Sequence, residues 1–327
     1  MENRDKLLEV KNLSVCYSTR DIGICRAVND VSFDLAKGET IGLVGETGAG
    51  KTTIALSIMR LLQSPPGEVT SGSIVFDGKN ILDMSDSEIR KIRGEEISMI
   101  FQDPMTALNP IDFVGDQISE AILLHRDVSS KQAMEMAGDM MEIVGIPRER
   151  YHEYPHQFSG GMKQRIVIAI ALACNPRLLL ADEPTTALDV TIQAQILELI
   201  NNLRTERGTS VLLITHDLGV VAHMCDKVMV IYAGEIVEYG TAIQIFDEVA
   251  HPYTKALFNS LPSIGSGNRL HPIEGLMPDP ADLPSGCYFS PRCKHCSENC
   301  RQNHPGLVDI GNGHLVRCFE AEKGGQL

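Results

Sequence analysis

Tryptophan is absent, and aromatic residues make up only 5% of the 327 positions. The core must therefore be built from aliphatic side chains, and a hydrophobic content of 43% is ample for one. Positive charge is also short: the net charge is −14. That excludes the basic face that nucleic-acid binding needs. No apolar run approaches the roughly 18–20 residues that cross a bilayer. The most apolar stretch, Ile166 to Cys174, is about half that length. The first residues, Met-Glu-Asn-Arg-Asp, lack the apolar core of a signal peptide. These absences predict a cytoplasmic chain, or one held at a membrane by a partner. The length fits one large domain or two smaller ones. Cysteine is unevenly placed. Five of the nine fall between Cys287 and Cys318, and in a reducing compartment such a cluster reads as metal-binding rather than disulfide.

What is present is organised around Gly45, Glu46, Thr47, Gly48, Ala49, Gly50, Lys51 and Thr52. This run matches G-x-x-x-x-G-K-[ST], a phosphate-binding loop. It follows an apolar stretch, Thr40–Val44, and precedes a helical pattern with Ile54, Ala55, Ile58, Leu61 and Leu62 on one face. Glycines let the backbone turn its N–H groups toward an anion, and the helix N-terminus adds its positive dipole end. Lys51 would reach the β- and γ-phosphates. Thr52 would hold Mg2+, and Thr53 could touch the α-phosphate.

Other candidates follow along the chain. Tyr17 ends a strand, where it packs in the core or stacks on an adenine ring. Ser73–Phe76, Asp77-Gly78 and Ile81 read as a hairpin. Ser85 and Glu88 form a capping box. Gln102 stands at the end of a strand over 96–101, where α/β ligand sites lie. Residues 105–158 change character, with helical patterns near 114–125 and 130–145. Met105, Met134, Met136, Met140 and Met141 there read as helix core, in a helical insertion. Ser159, Gly160 and Gly161 open a further helix that continues through Gln164, a second anion-binding helix start. Leu178–Ala181 reads as a central parallel strand. It delivers Asp182, a Mg2+ ligand, and Glu183, which would activate an attacking water. Another apolar strand, Val211–Thr215, delivers His216.

This ordered set resembles the ATP-binding subunits of ABC transporters, across residues 7 to about 250. Gln102 matches the Q-loop, which also touches Mg2+, and Ser159–Gln164 the signature. Asp182-Glu183 matches Walker B, Ala187-Leu188-Asp189 the D-loop, His216 the switch histidine, and Tyr17 the adenine-stacking aromatic. The resemblance implies an α/β P-loop NTPase core of ABC type, with an antiparallel β subdomain and a helical subdomain over about 104–175. It implies two domains pairing head to tail, with ATP on one phosphate loop capped by the Ser-Gly-Gly helix of the other. Only one motif set is present, so the second half must be another chain, a homologous ATPase subunit or a second copy. Two transmembrane permease subunits, a solute-binding protein and a place on the cytoplasmic face of the membrane are implied with them. Beyond residue 250, His251–Leu257 and Leu261-Pro262 resemble the oligopeptide/dipeptide branch, which includes nickel importers. The implied division is an ATPase domain at 1–250 and an extension at 251–327. A soluble regulatory or DNA-repair ATPase with an iron- or redox-sensing tail is the alternative of another class.

The tail cysteines are spaced C-x5-C-x2-C-x3-C-x17-C. A loop-rich segment needs a staple, and four thiolates around a [4Fe–4S] cube or a zinc ion would serve. The resemblance favours [4Fe–4S]: its Cys-x5-Cys-x6-Cys pattern with a distal Cys maps onto Cys287, Cys293, Cys300 and Cys318. Cys296 departs from that pattern and could substitute for a neighbour. His295, His304 and His314 read as exposed. Cys16, Cys25, Cys174 and Cys225 read as small apolar residues.

Overall fold

Runs of apolar residues too short for helices become buried strands, and where a strand is covered on both faces nearly every side chain is apolar. The structure, a computed structural model, describes residues 5–19, 23–103, 107–185, 189–260 and 272–322. Met105, Ala187, Leu188, Leu261 and Pro262 lie outside them. The chain divides by packing into two compact units, and their limits do not follow the expected boundary near residue 250. One unit comprises Met1–Leu7, Leu35–Thr40 and Asp83–Ile214; the other comprises Leu8–Asp34, Ile41–Leu82 and Thr215–Leu327. The C-terminal extension thus shares a unit with the phosphate loop.

In the first unit, Ile97–Ile100, Leu178–Asp182 and Ser210–Ile214 are parallel neighbours, with Ile97 opposite Leu178 and Asp182 opposite Ile214. All three strands are buried along their length. The helical patterns appear as Val114–His125 and Ser130–Ile143, packed on one another. Ser129 and Gln132 form a capping box at the start of the second, satisfying amides the helix itself cannot. Met140 and Met141 are core, as their spacing predicts. Met134 is a correction: it is exposed, with Leu123 and Leu124, because the helix pair has only one face to bury.

The second unit holds two sheets. A four-stranded sheet runs in the order Gly23–Ala36, Lys6–Thr19, Gly67–Phe76, Lys79–Asn80, the last three antiparallel neighbours. The predicted hairpin turn is there. Asp77 and Gly78 both have positive φ, and Phe76 pairs with Lys79, the geometry that matches strand twist in a two-residue turn. In the other sheet, Ile41–Val44 run parallel to Lys227–Val230. Glu235–Thr241 pairs antiparallel with Lys227–Tyr232, and Leu315–Val316 and Val308–Asp309 extend the edge.

Among its described residues the tail is mostly loop, as its sequence predicts, with two short edge strands and two short helices. A buried polar knot fastens its edge strands. Glu238 Oε1 lies 2.9 Å from His314 Nε2, and the carboxylate also accepts the amides of Ala250 at 2.8 Å and His251 at 3.0 Å. His314 is buried, contrary to the sequence expectation; His295 and His304 are exposed as expected, with His304 Nε2 3.0 Å from Glu235 Oε1. Burial alone would push the Glu238 carboxyl up, but the bonds from His314 and the two amides outweigh it and hold it below its ordinary range.

His251 caps the helix Pro252–Asn259: its Nδ1 accepts the Tyr253 amide at 3.0 Å. Burial drives its pKa down to about 4 from 6.5. A depressed pKa means the unfolded chain takes up the proton first. This contribution is full above pH 6.5 and is lost as pH falls to about 4. The shift corresponds to about 3 kcal/mol. The unit should lose stability steadily across that window, as read by thermal melts at stepped pH. His251→Asn, which keeps a capping acceptor but cannot titrate, should flatten the slope. An unchanged slope would remove His251 from the account.

Candidate functional site

The phosphate-type loop is shaped by what its glycines permit. Gly50 has φ +102°, and a Cβ there would stand 2.3 Å from the Ala27 carbonyl oxygen. A Cβ on Gly45 would stand 2.3 Å from the Ile231 carbonyl oxygen. No side chain fits at either place, so the backbone can run tight against its neighbours. Gly50 then caps the helix Lys51–Ile58 with no side-chain acceptor, which leaves the first amides of the helix for an anion. The Lys51 ammonium is buried and donates to the carbonyls of Gly45 at 2.8 Å and Glu46 at 3.0 Å. Thr52 is exposed at the helix start, and Thr53 Oγ1 lies 3.4 Å from Tyr17 Oη. Tyr17 is half-buried. All of these residues belong to one unit, as does His216, which is exposed.

Within the other unit, Leu178–Asp182 ends on the buried Asp182 carboxylate. Glu183 follows with φ +46° and donates its amide to the Ile214 carbonyl at 2.8 Å. A left-handed glutamate costs about 1–2 kcal/mol, and such strain clusters where a side chain must be aimed. Its carboxylate accepts from Gln102 Nε2 at 2.9 Å. Two residues separated by 81 positions, both singled out by their place at strand ends, are thus in contact.

Ser159 Oγ caps Gly160–Leu172 by accepting the Met162 amide. Ser159 and Gly160 are exposed, and a Cβ on Gly160 would meet nothing within 4 Å. Gln164, grouped above with the nucleotide contacts, is buried, and its Nε2 donates to the Pro184 carbonyl at 2.6 Å. It braces the chain just past Glu183 instead of facing solvent. Asp189 caps Val190–Arg207 through the Ile192 amide at 2.9 Å.

A separate cavity lies in the extension. Cys287, Cys293, Cys300 and Cys318 line it with His251, Phe289 and His295. Burial pushes the Cys287 thiol up to about 12 and the Cys293 thiol up to about 11, with smaller contributions from the neighbouring cysteines. Cys296 turns its Sγ to the Ser297 carbonyl. Among the described residues, no three His, Cys, Asp or Glu are grouped to hold a metal ion.

The ABC transporter family model matches residues 28–186, and the model for the C-terminal region of oligopeptide/dipeptide transporters matches residues 237–300. The dipeptide transport ATP-binding protein DppD of Bacillus subtilis is 52% identical over 96% of this chain and 95% of its own length. The oligopeptide transport ATP-binding protein AppD of the same organism is 48% identical over 98% of both chains. The chain belongs to the ATP-binding proteins of ABC transporters. As a member it is an ATPase that powers transport, and its fold is the ABC-type P-loop NTPase fold. A solved ATP-binding cassette, described as dimeric and bound to ADP and Pi after hydrolysis, aligns with a TM-score of 0.65 at 27% identity. It covers 72% of this chain and 98% of its own.

Sequence reading missed two residues that touch the phosphate loop, Arg292 and Tyr253. Tyr253 Oη accepts the Glu46 amide at 3.0 Å, and Arg292 Nη1 donates to Glu46 Oε2 at 2.9 Å. The phosphate-loop motif leaves position 46 unspecified, so no pattern pointed to its partners.

The loop geometry predicts the effect of Gly50→Ala. Left-handed strain of about 1–2 kcal/mol adds to the clash with Ala27. A lower urea midpoint and lost binding of a fluorescent ATP analogue should result. Native affinity in that variant would mean the tight turn is not what shapes the site.

Proposed function

We propose that the chain is the ATP-binding and ATP-hydrolysing subunit of an importer for oligopeptides or dipeptides. Full-length likeness to proteins named for that transport supports the cargo class, as does the match to the transporter C-terminal region. The observation that carries the nucleotide reading is the turn at Gly50, which opens the helix Lys51–Ile58 on the loop beneath the Lys51 ammonium.

In this reading Gly45 to Gly50 wrap the phosphates with backbone amides. Lys51 neutralises the β- and γ-phosphates, Thr53 reaches the α-phosphate, and Tyr17 stacks on the adenine. Thr52, Gln102 and Asp182 offer the hard oxygen donors that Mg2+ prefers. Glu183 takes the proton of the attacking water, oriented by Gln102, and His216 reads the γ-phosphate. Ser159, Gly160 and Gly161 cap a nucleotide held by the partner chain, a homologous subunit or a second copy; the dimeric state of the solved cassette supports pairing. The exposed Leu123, Leu124 and Met134 on the helical segment suit docking on two permease subunits, which a solute-binding protein supplies. The chain then works at the cytoplasmic membrane face, and its net charge of −14 speaks against a nucleic-acid role. The nucleotide machinery is assigned to residues 1–250, with a helical subdomain over about 104–175, and the cysteine segment to 251–327.

We further propose that Cys287, Cys293, Cys300 and Cys318 hold a [4Fe–4S] cluster, with zinc the competing occupant. The donor chemistry fits. The four thiols line the wall of one cavity, whereas no trio among the described residues gathers on a single ion. Thiols raised as far as those of Cys287 and Cys293 stay protonated unless a cation holds them as thiolates. Such a group would tie the loops of the extension together.

Glu183→Gln should lower ATP hydrolysis roughly 10²- to 10⁴-fold and trap an ATP-bound pair with the partner chain. Transport that continues unchanged in that variant refutes the coupled-ATPase reading. Anaerobically purified protein should carry iron and sulfide with visible charge-transfer absorbance. One zinc and no iron would reverse the cluster assignment.

A further inference from the structure

A phosphate-binding loop is an unfavourable place for a carboxylate. Two unit charges 4 Å apart interact by about 1 kcal/mol in water and about 4 kcal/mol at an effective dielectric of 20. A triphosphate multiplies that repulsion. Yet Glu46 is the first free position of this loop, directly after Gly45.

The carboxylate is neutralised from the far end of the chain. Arg292 donates to it through both arms of its guanidinium, Nη1 to Oε2 at 2.9 Å and Nη2 to Oε1 at 3.2 Å. The two residues are 246 positions apart. The Arg292 side chain is 5% exposed and that of Glu46 25%, so solvent screens the pair weakly. The guanidinium has no freedom to leave. Its Nε donates to the Glu274 carbonyl at 3.0 Å, and Nη2 also reaches the Ile273 carbonyl at 3.3 Å. The Tyr232 hydroxyl lies 3.4 Å from Nη1. Behind it, the rings of Tyr232, Tyr253 and Phe289 pack on one another with centroids 4.6–5.5 Å apart. Tyr253 holds the Glu46 backbone by accepting its amide at 3.0 Å. Both the side chain and the amide of Glu46 are thus held by residues beyond position 250, within one packing unit.

We propose that Arg292 is a positioning residue for nucleotide binding. It cancels the Glu46 charge and pulls that carboxylate aside, so the loop presents amides and Lys51 to the triphosphate. The C-terminal extension is then part of the nucleotide site. This rests on the phosphate-loop reading above.

The test uses the full-length chain and a fluorescent ATP analogue with Mg2+, titrated to equilibrium. Arg292→Ala should weaken binding by roughly 5- to 150-fold, the usual span of such couplings. The loss should shrink as salt is raised, since screening weakens the bared carboxylate. Glu46→Gln placed on Arg292→Ala should recover most of the affinity, because it removes the charge that Arg292 was cancelling. A purely structural arginine would not be rescued this way. Should Arg292→Ala fail to fold, Arg292→Gln, which keeps the bulk and some of the hydrogen bonds, carries the same comparison. Unchanged affinity in the single variant, or a double variant as weak as the single, overturns the proposal. Lys51→Ala is the reference. If it binds nucleotide like the native chain, the loop reading itself fails; if it loses binding while Arg292→Ala does not, only the role of Arg292 falls.

Discussion

An acidic protein that must hold a polyanion has to build a positive pocket locally against its own field. The net charge is −14, so side-chain charge cannot be the main attraction. Backbone amides can be. They carry no net charge, cost nothing in overall balance, and point inward only where the chain takes a conformation that a Cβ would forbid. That is why Gly45 and Gly50 sit under neighbouring carbonyls with no room for a side chain. The helix that starts at Lys51 adds its dipole and its one ammonium in the same place. Glu46 works against this arrangement, and the structure answers it with a guanidinium fixed on four sides.

The same logic runs through the extension that supplies that guanidinium. It has few apolar residues, and what fastens it is polar and buried. Glu238 collects two amides and an imidazole at the edge of the sheet. Arg317 donates to the carbonyls of Ile236 and Pro305. A buried charge so fully partnered gives geometry more than net stability, because its desolvation roughly offsets its attractions. Geometry is what this segment has to deliver. Cys287, Cys293, Cys300 and Cys318 line one cavity, and Arg292, which lies between the first two in sequence, reaches the loop.

Much of this was legible in the residues, for definite reasons. Parallel strands buried on both faces leave uninterrupted apolar runs, so Leu178–Asp182 and Ser210–Ile214 announce themselves. Asp77-Gly78 is a turn because both residues tolerate positive φ. Local rules also placed the caps at Ser85 and the phosphate loop, since each is closed within a few residues. What did not show was of two kinds. Some was a matter of which face a residue takes: Met134 follows the helical pattern yet meets solvent, and Gln164 lies in a functional motif yet is buried against Pro184. The rest was long-range pairing. Glu238 with His314, and Glu46 with Arg292, join residues 76 and 246 positions apart, and no periodicity links them.

The last point bears on how the motif set should be read. The fixed letters of a phosphate loop describe what the ligand requires, and every such chain must meet them. The free letters describe what one protein has done around that requirement. Glu46 is a free letter that adds charge of the wrong sign at the place where it does most harm. Its partner is fixed by two carbonyls, a tyrosine hydroxyl and an aromatic cluster that come largely from the C-terminal third of the chain. A destabilising charge is retained where something holds it to a purpose. Here the carboxylate and the guanidinium join the loop to a residue 246 positions away. The extension and the loop are therefore bound by an interaction that neither half would keep alone.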